Sequence, residues 1–152
     1  MIRQTKNSYL SINITHTLHD GFISTMTQNF RYFPAFCVMV AIFVVSHIPG
    51  NELHPPKFIA YDKFWHVLEY FILASTLLYA KRPAIDHFQQ YALIVFYCLI
   101  FAISDEIHQS FIPFRFASIM DILADGLGAL LAVSAWNLIN RWRRYRRELF
   151  QI

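Results

Sequence analysis

Apolar residues fall into four long runs along the chain, divided by short polar breaks, and those runs set the architecture the sequence predicts. The first occupies about residues 32–48, with Pro34 in the opening turn, where a helix tolerates it, and Pro49-Gly50 as its stop. The second covers about 62–80 and ends at Lys81-Arg82-Pro83. The third covers about 88–111 and is followed by Pro113; the fourth covers about 118–140, where an Arg cluster begins. Each is close to the roughly 20 residues that cross the hydrocarbon of a bilayer. The pattern predicts an all-α fold, an integral membrane bundle of four transmembrane helices, with no internal repeat.

Four spans place both termini on one side, and the charges test that arrangement. Arg3, Lys6, Arg31, Lys81, Arg82, Arg141, Arg143, Arg144, Arg146 and Arg147 lie on the side of the termini and are ten of the thirteen Lys and Arg. Lys57, Lys63 and Arg115 lie on the other side. The positive-inside rule then predicts both termini in the cytoplasm. Three regions follow: a cytoplasmic N-terminal tail over 1–30, a membrane domain over 31–140 and a basic cytoplasmic tail over 141–152. The first thirty residues are rich in Ser, Thr, Asn and Gln and lack the apolar core of a secretory signal.

Composition agrees. Hydrophobic residues make up 56% of the 152 and charged residues only 15%, against about 25% charged in soluble domains. Cys37 and Cys98 both sit inside apolar runs, where they read as packing residues. Arg141-Trp142-Arg143-Arg144-Tyr145-Arg146-Arg147 follows an apolar helix directly, so it reads as an anchor on anionic lipid headgroups and not as a nucleic-acid surface.

The acids are biased the other way. Glu52, Asp62, Glu69, Asp105, Glu106, Asp121 and Asp125 belong to the outer half, together with His47, His54, His66 and His108. Asp62, His66 and Glu69 stand at i, i+4 and i+7, so they share one stripe of a helix; so do Asp105, His108 and Gln109, and so do Asp121, Asp125 and Gly128. Three polar stripes at one level are expected to converge on a shared interior, because lipid would penalise each of them. Small residues at Gly126, Gly128 and Ala129 would let a neighbouring helix approach.

Some of these positions have plain structural readings. Asp62 and Ser118 sit where N-caps belong, and Ser118 with Asp121 makes a capping-box-like pattern. Asp105 and Glu106 do not fit such a reading. They fall near a helix C-terminus, where the macrodipole disfavours an anion by roughly 0.3–1 kcal/mol. Membrane insertion adds up to about 2.5–3.5 kcal/mol for an Asp at mid-bilayer. Lys63, Arg115, the two histidines or a bound cation are the expected compensation.

Four motifs in order carry a resemblance. Ser46-His47-Ile48-Pro49-Gly50 closes the first run, and Asp62-Lys63-x-x-His66 with Glu69-Tyr70 opens the second. Asp105-Glu106-x-His108-Gln109-x-Phe111-x-Pro113-x-Arg115 closes the third, and Ser118-x-x-Asp121-x-x-x-Asp125-x-x-Gly128 opens the fourth. Over about residues 32–138 the chain resembles the VanZ-like family of small bacterial membrane proteins. It departs from that pattern at Phe114, where a Gly is expected, and at His47, where Ser is more usual. The resemblance implies a protein of the bacterial cytoplasmic membrane and cell envelope. The family takes its name from a member associated with low-level teicoplanin resistance, a phenotype that a shared fold does not transfer by itself.

Three function classes stay open at this point. One is an envelope hydrolase or transferase acting on a lipid-linked or headgroup substrate at the outer leaflet. Its catalytic groups would be His66, Asp105, Glu106 and His108, with Lys63, Gln109, Arg115, Asp121 and Asp125 binding substrate. Lys63 and Arg115 would hold a phosphate. Zn²⁺ or Mg²⁺ on His66, Asp105 and His108 would supply a Lewis acid, although no metallohydrolase signature such as H-E-x-x-H is present. The second is a non-enzymatic protein that binds or shields against an amphiphile, such as a glycopeptide. The third, ion passage, is disfavoured because the inner halves of the helices carry few ionisable groups.

Overall fold

A computed structural model describes residues 30–52, 59–83 and 88–150. Contacts divide the chain into two units, Met1–Phe33 and Pro34–Ile152. The first lies almost wholly outside the described residues, as do the N-terminal tail expected over 1–30, His54, Lys57 and Asp86. Within that unit the rings of Phe30 and Phe33 stack at 5.6 Å.

Among the described residues there are four α-helices and no strand: α1 (Phe33–Ser46), α2 (Ile59–Lys81), α3 (Phe88–Gln109) and α4 (Ile119–Leu149). They fall on the four predicted runs, with instructive differences at the ends. The second helix starts at Ile59, so Asp62 lies in the first turn, where an acid suits the positive end of the dipole, and is not the cap. At 14 residues α1 is the shortest, about 21 Å long. The fourth helix does not stop at Asn140 but runs through the Arg cluster to Leu149, 31 residues in all. Hydropathy marks the end of the apolar stretch and not the end of the helix. Arg is a good helix former, and Arg146 stacks over both Trp142 and Phe150, at 5.0 and 5.4 Å.

Helices α2 and α4 make the most extensive pairing, followed by α3 with α4. The α2–α4 contact is close because α4 has no side chain at Gly128, where an added Cβ would lie 2.2 Å from the Val67 carbonyl oxygen of α2. Ala74 of α2 and Ala129 and Ala132 of α4, each at most 2% exposed, continue the seam of small residues, and Ala102 of α3 is buried in the same core. Tyr70, Leu73 and Leu78 fill the space beside it. Cys98 packs in this core, whereas Cys37 is exposed on α1 rather than packed as expected.

Outside that core the helices are apolar. Phe36, Val40, Phe43 and Val44 of α1, Phe96, Ile100 and Ile107 of α3, and Leu123, Leu127 and Leu130 of α4 are all exposed. Two helices, α3 and α4, are long and apolar enough to cross a membrane, and only 33% and 28% of their apolar stretches are buried.

Candidate functional site

The polar groups gather where α1 and α3 end and α2 and α4 begin, and they sort into two clusters. The first joins α2 to α4. The Lys63 ammonium donates to Asp121 and, at 3.3 Å, to its neighbour Asp62. One turn further in, His66 Nδ1 is 3.0 Å from Asp125 Oδ1, and His66 Nε2 is 3.8 Å from Asp121 Oδ1. An ionised carboxylate can only accept, so Asp125 fixes the proton on Nδ1 and leaves Nε2 turned toward Asp121. The cluster is graded in exposure. Asp62 is 54% exposed and Lys63 29%, while His66, Asp121 and Asp125 fall to 9%, 8% and 2%.

The second cluster joins α1 to α3. Asp105 Oδ2 accepts from Ser46 Oγ at 2.7 Å and from Gln109 Nε2 at 2.8 Å. Arg115 folds back over the end of α1. Its guanidinium donates to the carbonyls of Val45 (3.1 Å) and Ile48 (3.3 Å) and to Gln109 Oε1 (3.0 Å). A cation on the last carbonyls of a helix meets both their hydrogen-bonding need and the negative end of the dipole. Beside it His47 Nδ1 lies 3.3 Å from His108 Nε2, and Phe43 stacks on the His108 ring at 4.2 Å. Gly50 seals the same region: its N–H donates to Pro113, and an added Cβ would meet the Phe114 carbonyl oxygen at 2.1 Å.

Glu106 links the two clusters. Its Oε2 accepts the Ser118 backbone N–H at 2.7 Å, at the N-terminus of α4. Ser118 is the N-cap residue, but its side chain makes no capping bond. The expected Ser118–Asp121 capping box is therefore not formed. Glu106, from a different helix, satisfies the orphan N–H, and Asp121 is left to pair with Lys63. Glu69 is also shared, with His66, Asp125, Asp105 and Arg115 as electrostatic neighbours. Asp105 and Glu106 thus find hydrogen-bonding partners in a Ser hydroxyl, a Gln amide and a helix N-terminus, and His66 is an electrostatic neighbour of Glu106; neither acid forms an ion pair with Lys63 or Arg115. A helix N-terminus stabilises an anion as a cation would, without a desolvated positive side chain.

The structure brings Lys63, His66, Asp121 and Asp125 together, and separately Asp105, Gln109 and Arg115. His108 pairs with His47. Of the expected metal ligands His66, Asp105 and His108, each has different partners. Among the described residues the ligand atoms close enough to share an ion belong to Asp62, His66 and Asp121, all within 4.8 Å of one another. Sequence reasoning missed the roles of Ser46 and Asp62. Ser46 sits inside the motif that closes α1, and Asp62 shares the His66 stripe, so both signals were present without a partner to give them meaning.

Four antiparallel-connected helices with paired polar clusters at one end define a helical bundle built around a helix-end site. A family model described as VanZ/LLP1 matches residues 6–140, most of the chain, and the protein belongs to that family. The match reaches further toward the N-terminus than the motifs that suggested it. No curated protein and no solved structure matches the chain.

Proposed function

We propose that the chain is a four-span protein of the bacterial cytoplasmic membrane, with both termini cytoplasmic, and that it hydrolyses or transfers a headgroup or lipid-linked substrate at the outer leaflet. Membrane residence is supported by the large apolar side chains exposed on all four helices, since soluble monomers rarely leave extended apolar faces uncovered. Ser75, Ser104 and Ser134 bond back to carbonyls of their own helices, which satisfies a hydroxyl without water. The 14 residues of α1 fall short of the roughly 30 Å of hydrocarbon, and thinning of the bilayer or the adjoining residues make up the difference.

The observation that carries the chemistry is the buried His66–Asp125 pair one turn in from the more exposed Lys63 and Asp62. With its proton held on Nδ1, His66 presents Nε2 as a general base, and after proton uptake as a general acid, while Asp125 stabilises the imidazolium. Lys63 is placed to take a phosphate oxygen in exchange for its carboxylate partners. The Asp105–Gln109–Arg115 cluster holds α1 in place and supports the site from outside. His108 and Glu106 act by position, Glu106 by fixing the start of the helix that carries Asp121 and Asp125.

A second reading, an amphiphile-binding or shielding protein related to glycopeptide resistance, is favoured by one feature. Phe64, next to Lys63, and Phe111, Phe114 and Phe116 of the segment between α3 and α4 are exposed, at 58%, 79%, 71% and 86%. Turnover separates the two readings. The detergent-purified chain is offered a lipid-linked diphosphate and a phospholipid, and released headgroup is measured. Loss of roughly 10²–10⁴-fold in His66→Ala and Asp125→Asn, in protein that still folds, is the result expected of a general base. Undiminished turnover in both variants would refute the assignment, and saturable binding without turnover would favour the second reading. Single-cysteine labelling at 6 and 150 from either face of the membrane tests the topology.

A further inference from the structure

We propose that Asp62, His66 and Asp121 form a divalent-metal site of the Zn²⁺ or Mn²⁺ kind, with Asp125 as the outer carboxylate that orients the imidazole. One ligand atom from each of the three lies within 4.8 Å of the others, and two of the three side chains are buried. Contraction onto an ion with bonds of about 2.0–2.2 Å asks most of Asp62. That residue is more than half exposed, in the first turn of α2, where it is freest to move.

Three features point to an ion beyond the acids themselves. The imidazole is pre-oriented: Asp125 takes Nδ1, the arrangement that holds metal-binding histidines in register through their second nitrogen. A further carboxylate waits nearby. Glu106 is 2% exposed, its Oε1 has no hydrogen-bond partner, and its electrostatic neighbours include Asp121, His66 and Asp125. Finally, Asp62 and Asp121 already attract a cation, since the Lys63 ammonium bridges them. Lys63 is on a flexible stem and partly exposed, so it is a built-in competitor that can swing to solvent or to a phosphate oxygen as an ion enters. Two carboxylates and one imidazole, with no thiolate, suit a borderline N/O-binding divalent ion, and three protein ligands leave a position open for water or substrate. The inference rests on the proposed reaction and changes one role in it: an ion held on His66 Nε2 takes that nitrogen out of acid–base work, and would instead polarise a phosphoryl or acyl oxygen and activate the attacking water.

The test uses the full-length chain in detergent, without a polyhistidine tag, stripped with chelator and titrated calorimetrically with Zn²⁺. One ion per chain is expected. His66→Gln and Asp62→Asn should each weaken binding by roughly tenfold or more. Asp62→Asn changes a half-exposed residue, so it reads affinity even where the His66 variant fails to fold. Lys63→Met should tighten binding by roughly tenfold, because it removes the competing charge; a simple ion-pair network predicts no such gain. Replacing His47 and His108 together by Ala should leave affinity unchanged. Absence of saturable one-to-one binding, indifference to Asp62→Asn, or loss on the His47/His108 replacement would overturn the site. Turnover without metal binding would sink the metal site and leave the proposed reaction standing, whereas metal binding without turnover would do the reverse.

Discussion

Replacing Gly128 by Ala probes the seam on which both the fold and the site depend. The added Cβ would lie 2.2 Å from the Val67 carbonyl oxygen and 3.0 Å from the Phe71 nitrogen, both backbone atoms of α2 that no rotamer change can move. Restoring ordinary contact at 3.4 Å or more requires α2 and α4 to part by about 1.2 Å at this level. Overpacking of this kind costs roughly 1–3 kcal/mol. His66 and Asp125 lie on the same two helices, within one turn of the contact. Opening of that size stretches their 3.0 Å hydrogen bond past the useful range, a further loss of about 1.5–3 kcal/mol for a bond to a charged group. Gly126→Ala is the matched control. Its Cβ meets only the end of the flexible Leu99 side chain, at 3.1 Å. Ala also favours a helix by about 1 kcal/mol over Gly, so this variant is expected to be neutral or stabilised. Unfolding in mixed micelles, followed by circular dichroism, gives both numbers. Equal stability for Gly128→Ala and wild type, or a larger loss in Gly126→Ala, would refute the close α2–α4 packing.

Three further variants address single contacts. Phe114 has a backbone φ of 61° and is 71% exposed, so it holds a left-handed conformation with little packing in return. Such a conformation costs a bulky residue about 1–2 kcal/mol, and glycine's greater freedom when unfolded returns part of that. Phe114→Gly should therefore raise stability by about 0.5 kcal/mol, and a loss above about 1 kcal/mol in the same titration would argue against the conformation. Glu106→Ala should cost about 1 kcal/mol through the lost cap on α4, whereas Glu106→Gln, which keeps an acceptor for Ser118, should lose less than half as much; equal losses would assign the role to charge. Arg115→Met leaves the Val45 and Ile48 carbonyls without their donor, so hydrogen exchange should accelerate at the end of α1 well before the α2–α4 core responds. Uniform acceleration across the bundle would show that Arg115 supports more than α1.

How much of this was legible in the sequence depended on whether the signal was local. Helix number and placement were, because apolar runs and Pro or Gly stops are read along the chain. The polar stripes were also legible, since i, i+4 spacing fixes a shared face whatever lies opposite. Which stripe meets which was not. His66 pairs with Asp125 and Ser46 with Asp105, each across 59 residues, and periodicity carries no information about the azimuth of one helix against another. The end of α4 escaped because hydropathy fades at Asn140 while helix propensity does not. Glu106 was recognised as needing a partner, but its partner is a backbone N–H, a group that every residue save proline carries and that no motif distinguishes.

The two clusters share one construction and differ in what they leave free. In each, parallel helices meet at a register of 59 residues, and a buried Asp on the later helix takes a side chain from the earlier one: Ser46 to Asp105, His66 to Asp125. At Asp105 the donors are a hydroxyl and an amide, groups that do not exchange protons near neutral pH, and Arg115 spends its guanidinium on carbonyls and on Gln109. Such a cluster can fix α1 but has little left to offer a substrate. At Asp125 the donor is an imidazole whose second nitrogen is turned toward Asp121, which Lys63 links to the more exposed Asp62. The same geometry therefore yields a clamp in one place and a reactive pair in the other. His66 makes the difference, because an imidazole exchanges a proton near neutral pH where a hydroxyl or an amide does not.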